Sequence, residues 1–193
     1  MKTNTENLIT DLIERTRQNL NQAEMLKEHH EKELNFKPDA QSWSVLECIA
    51  HLNFYGDYYL PEIERRISQS RFPSEENFKA GLLGNYFAII MLPGEKMKKM
   101  KTLKSTNPNG SKLNKKTLES FIFQQKKMLE LLGKARKVSL NKTKTSISIA
   151  SFIKLKLGDT FRVVIYHNDR HLQQAQRVLA NAESAKASKI KFA

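Results

Sequence analysis

The sequence predicts an all-α fold, a four-helix bundle with long crossover connections, on three observations. Apolar residues recur at intervals of three and four in four separate stretches, the period of a helix buried along one side. The breakers Pro73, Gly81, Gly84, Pro93, Gly94, Pro108 and Gly110 all fall between the second and third stretches. At 193 residues the chain suits one domain, since domains run to about 100–200 residues.

The line Ile9, Leu12, Ile13, Thr16, Leu20, Ala23 and Leu26 predicts a first helix over residues 4–32. Pro38 disfavours helix in the residue before it, so the following stretch reads as a connection whose Phe36 covers the bundle end. Ser44 and Glu47 form a capping-box pattern that starts helix two. Its apolar line is Val45, Ile49, Leu52, Gly56, Tyr59, Ile63 and Ile67, with Cys48, His51, Tyr55 and Tyr58 beside it. Pro61, lacking an N–H, should kink or divide this helix. Residues 71–113 read as a crossover in which Leu82 to Leu92 form a short apolar helix, buried or covering the pocket.

Helix three, with Leu118, Phe121, Ile122, Gln125, Leu129, Leu132 and Ala135, is placed at 114–136. Residues 138–157 are read as a loop, although the alternation of Ile153, Leu155 and Leu157 also fits extended packing or a short strand. Gly158-Asp159 opens helix four with Asp159 as N-cap, and Phe161, Ile165, Asn168, Leu172, Ala175 and Leu179 form its core stripe. Residues 1–183 are expected to be a single domain and 184–193 a basic, frayed tail.

Composition narrows the setting. Cys48 is the single cysteine, so no internal disulfide is possible. The N-terminal residues lack a secretory signal pattern and the longest apolar run falls short of the ~20 residues that cross a bilayer. A cytoplasmic protein with no membrane partner is expected. The net charge of +13 favours polyanions or acidic substrates. Its lysines gather at positions such as Lys96, Lys98, Lys99 and Lys101, without interleaved aromatics and without a nucleic-acid signature, and read as a solvated surface.

The chemistry lies in histidines. His167 and His171, four apart, share one helix face about 5–6 Å apart and can offer two nitrogens to one ion at about 2.0–2.1 Å. His51 is the distant third imidazole that a bundle can bring to them. Either of the pair can equally be an ordinary polar residue on a bundle edge. His29 and His30, among Glu28, Glu31 and Lys32, belong to a solvated helix end. Asp169 and Arg170 face away from the stripe, where Arg170 suits a surface or interface ion pair. Trp43 suits the bundle end.

The stretch Trp43-Ser-Val-Leu-Glu-Cys-Ile-Ala-His51-Leu-Asn, followed much later by His167-Asn-Asp-Arg-His171-Leu-Gln-Gln, resembles the DinB/YfiT-like superfamily of metal-dependent proteins, over roughly residues 5 to 182. The resemblance implies a four-helix bundle in which His51, His167 and His171 hold a divalent ion, Zn or Ni, or else Mn or Fe. Such an ion lowers the pKa of a bound water to about 7 and holds a thiol as thiolate. Hydrolysis and transfer of a low-molecular-weight thiol are both implied, since relatives include bacillithiol and mycothiol transferases. Glu47 can support the site or act as base, but the cap explains it without a metal. Cys48 is a fourth-ligand candidate or a buried small hydrophobe, and Tyr55 and Tyr58 are pocket lining or core. The expected partner is a small-molecule substrate, with a homodimer as an open option. The competing reading is a non-catalytic, stress-related or nucleic-acid-binding protein that uses its basic surface.

Overall fold

The computed structural model describes residues 1–94 and 102–191, so Lys96, Lys98, Lys99 and Lys101 lie outside the described residues. In chain order the elements are β1 (Lys2–Asn4), α1 (Thr5–Lys27), α2 (Glu31–Leu34), α3 (Val45–Ser68), β2 (Asn77–Lys79) and α4 (Leu82–Met91). A 3-10 turn (Lys104–Thr106), α5 (Lys116–Ala135), β3 (Lys144–Ile147), β4 (Ala150–Lys156) and α6 (Leu157–Lys191) follow.

Local chemistry sets the helix ends. Asn4 accepts hydrogen bonds from the N–H groups of Glu6 and Asn7 and starts α1. The helix stops at Lys27 instead of reaching residue 32, because the chain turns at Glu28 and restarts as α2, where the His30 N–H donates to the Glu33 carboxylate. At α3 the Glu47 N–H donates to Ser44 Oγ at 3.1 Å and the Ser44 N–H to Glu47 Oε2 at 2.8 Å, the reciprocal cap read from the sequence. Pro61 neither ends nor divides α3. It sits on the exposed side, where water can serve the carbonyl that its missing N–H frees.

The chain is mostly helical, and α1 and α3 each pack against both α5 and α6. The apolar core falls into two clusters. One gathers Leu12, Ile63, Leu131, Phe161 and Tyr166; the other gathers Ala23, Leu52, Leu118, Phe121 and Leu172. Along α6 the change of cluster falls between Tyr166 and Leu172, and along α3 between Leu52 and Tyr59. His167 and His171 lie within that interval on α6, and His51 directly precedes it on α3.

Two small antiparallel sheets depart from an all-helical reading: β1 with β2 and β3 with β4. The second replaces the loop expected over 138–157. Thr145 is fully buried and its hydroxyl meets that of Thr160 at 2.6 Å, while the Ser146 N–H donates to Glu62. Polar residues thus carry β3, which is why an apolar count does not reveal it.

Helix α6 begins two residues before Asp159, so Asp159 is not its N-cap. The carboxylate instead accepts the N–H of Gly81 at 2.8 Å and so serves the start of α4, while pairing with Arg162 at 3.2 Å. At the other end of α4, Arg170 Nη1 donates to the Ile90 carbonyl at 3.3 Å. An acid at the N-terminal end and a base at the C-terminal end complement the dipole of α4. Arg170 is accordingly buried, not a surface residue, and Asp169 pairs with Arg15 of α1 at 3.0 Å. Helix α4 itself is mostly not buried: Gly84 and Ala88 are, Phe87, Ile90 and Met91 are half-buried, and Leu82, Leu83, Tyr86 and Ile89 are exposed. The backbone stays helical to Lys191, where a frayed tail was expected. No helix among the described residues is long and apolar enough to cross a membrane.

Candidate metal centre

His51 lies two turns into α3, and His167 and His171 lie one turn apart on α6. The packing of α3 against α6 brings the three rings together, with centroids 4.6 to 5.1 Å apart. One ring nitrogen from each lies within 4.8 Å of the others. His51 and His167 are buried and His171 is partly so.

Hydrogen bonds orient two of the rings. His51 Nδ1 stands 2.7 Å from the Thr106 carbonyl, which can only accept, so the proton of neutral His51 sits on Nδ1 and the Nε2 lone pair is free. His171 Nδ1 stands 2.9 Å from Gln174 Oε1, giving the same tautomer. Two nitrogens about 2.0–2.1 Å from a tetrahedral ion lie about 3.3 Å apart, and His51 Nε2 and His167 Nε2 are 3.3 Å apart.

The rings are held neutral. Burial pushes His51 below its ordinary value, against the Thr106 carbonyl, which favours the charged form. Burial, and then the neighbouring imidazoles and Arg170, hold His167 well below the usual range. His171 is pushed down to about 3, first by burial and then by His51. Neutral imidazoles that each bring a ring nitrogen to one point are the donor set a divalent ion requires, so these residues fit such an ion.

Aromatic rings wall the cluster. Trp43 lies 4.8 Å from the His51 ring and is stacked on His171 at 5.7 Å, centroid to centroid. It belongs to the site rather than to a bundle end alone. Tyr55 lies 5.1 Å from His51 and 4.6 Å from His167. Tyr58 faces elsewhere, donating its hydroxyl to the Ile147 carbonyl.

Glu47 is occupied. Besides the cap, its Oε1 accepts the Gly110 N–H at 2.6 Å and Lys37 Nζ at 3.4 Å. Trp43 Nε1 donates to Asn107 Oδ1 at 3.2 Å. Glu47 and Trp43 thereby fasten the loop whose Thr106 carbonyl orients His51. Cys48 is fully buried in the apolar core, where burial and then Glu47 push its thiol up, and it is not part of the histidine cluster. His29 sits 3.8 Å from Glu33, away from the cluster. Thr106 and Gln174 escaped the sequence reading. A backbone carbonyl has no signature, but Gln174, three residues after His171, was open to discovery as a hydrogen-bond acceptor one turn along.

The family model described as the DinB superfamily matches residues 12–175, a span containing all three histidines. No match was found among curated proteins or among solved structures.

Proposed function

The chain belongs to the DinB superfamily, and from that premise we propose that it is a metal-dependent enzyme in which His51, His167 and His171 hold a divalent ion, Zn or Ni first, and a low-molecular-weight thiol is the transferred group. The carrying observation is the convergence of three neutral imidazoles, two of them with the Nδ1 proton turned away from the cluster. An ion held by three neutral nitrogens keeps its charge and open positions, which supplies Lewis acidity toward a bound water or thiol.

The chain's own residues do the rest. The Thr106 carbonyl and Gln174 keep the Nε2 lone pairs of His51 and His171 toward the cluster. Trp43 and Tyr55 cover the rings and exclude water from their faces. Glu47, the carboxylate best placed in sequence to serve as a base, is committed to Ser44, Gly110 and Lys37. That commitment favours thiol transfer over hydrolysis, because a thiol acidified at the site needs no separate base. The net charge of +13 favours an acidic co-substrate, as carboxylate-bearing thiols are. On this reading the ring formed by α1, α3, α5 and α6 is the family's four-helix bundle, residues 1–183 form its one domain, and residues 184–193 are a basic appendage.

Metal analysis of the purified protein should give about one divalent ion per chain. Electrophile turnover with bacillithiol, mycothiol or glutathione after restoring Zn, Ni or Mn should be lost in His51→Ala. Turnover that persists in that variant, or a protein that binds Zn and Ni equally well without His167 and His171, rejects the assignment.

A further inference from the structure

Helix α4 carries the sequence Leu-Leu-Gly-Asn-Tyr-Phe-Ala-Ile-Ile-Met, with no charge in it. A helix apolar all round is ordinarily buried. This one turns its small residues, Gly84 and Ala88, onto the body of the protein and leaves Leu82, Leu83, Tyr86 and Ile89 outside, with Leu82 96% exposed. Positions 82, 86 and 89 follow the helical repeat, so they share one face. The adjoining β3–β4 hairpin touches α4 through β4 and exposes Ile149 and Phe152, the latter 83%. Large apolar side chains exposed together on one helix face mark an interaction site.

Charge selects the occupant. A second copy of the chain would bring its own +13 to the contact. Lys79, two residues before Gly81, is exposed, and Lys156 reaches across to donate to its carbonyl at 2.6 Å. Lys154 is exposed on β4, which holds no acidic residue. An apolar helical face set among lysines matches the boundary between anionic headgroups and acyl chains. We infer that α4 docks the protein peripherally on an anionic lipid surface. Spanning a bilayer requires a helix that is both long and apolar, which no described helix is; lying in its interface requires only such a face. The clasp of Asp159 on Gly81 and of Arg170 on Ile90 holds α4 as a preformed face.

The test is co-sedimentation of the whole protein with phosphatidylcholine vesicles and with equimolar phosphatidylcholine and phosphatidylglycerol. Binding should be at least about tenfold stronger to the anionic vesicles and weaken with salt. The exposed substitutions Leu82→Ser with Ile89→Ser leave every charge in place and should weaken it about tenfold, with unchanged circular dichroism. In Tyr86→Trp, tryptophan emission should shift to the blue on anionic vesicles, beyond any shift of Trp43 in the parent. Three results overturn the inference: equal or absent binding to the two vesicles; binding untouched by the serine pair, which would be adsorption of a basic protein; or a stable dimer in solution dissolved by the serine pair, which would assign the face to a second copy.

Discussion

Gly84 of α4 rests directly on Asp159 of α6: a Cβ built on the glycine would stand 2.5 Å from the carboxyl carbon. The close approach lets Asp159 reach the Gly81 N–H. Gly84→Ala is therefore expected to lift α4 or displace the carboxylate from Arg162, at a cost of about 1–3 kcal/mol. Denaturant unfolding reads this directly, and a variant as stable as the parent would show that α4 does not need the contact.

Without metal, stability should fall with acid in a window set by the imidazoles. His171 titrates at about 3 when folded against an ordinary 6.5, and His51 and His167 are also lowered. The unfolded chain then binds more protons than the folded one, so the stability is fully present above pH about 6.5 and is lost as pH falls toward about 3. At pH about 5 each fully shifted histidine costs about 2 kcal/mol. Urea midpoints of chelator-treated protein across this range should decline; a flat profile would contradict neutral, buried rings.

Glu47→Ala should behave as a structural substitution. Removing the acceptor shared by Ser44, Gly110 and Lys37 is expected to destabilise by about 1–3 kcal/mol. Metal stoichiometry at saturation should survive, in contrast to His51→Ala. Calorimetric titration separates the two, and loss of stoichiometry in both would place Glu47 among the ligands.

Gln174→Ala frees the His171 ring to turn. Metal affinity should drop about 10- to 100-fold with little change in folding stability, whereas Gln174→Glu, which keeps an acceptor at the same reach, should retain it. Competition against a chromogenic chelator gives the ratio. Equal affinities in all three proteins would show that Gln174 orients nothing.

What the sequence disclosed followed from locality. The Ser44–Glu47 cap and the His167–His171 pair are set by spacing within one turn, and the structure shows the cap bonds and brings the two rings together. Asp159 misled because it sits where a helix begins, while its partners, Gly81 and Arg162, are fixed by packing between helices. Of the hairpin, β4 was legible as an alternation that fits a short strand, whereas β3 was missed because Thr145 and Ser146 are buried by hydrogen bonds instead of apolar alternation. Helix α4 was expected to be buried or to cover the pocket from its composition alone, and only the position of Gly84 and Ala88 reveals which face meets the protein.

The histidine cluster also has a bearing on the order of events during synthesis. Its first member is 116 residues before its second, and the second and third both lie on α6. A nascent polypeptide that has not emerged as far as residue 167 holds one of the three cluster imidazoles in the midst of two unfinished apolar clusters. At translation rates of about 5–20 residues per second, several seconds separate the emergence of His51 from that of its partners. If the cluster holds an ion as proposed, its capture awaits the emergence of residue 171, because ribosome-bound fragments ending before α6 have no three-imidazole cluster.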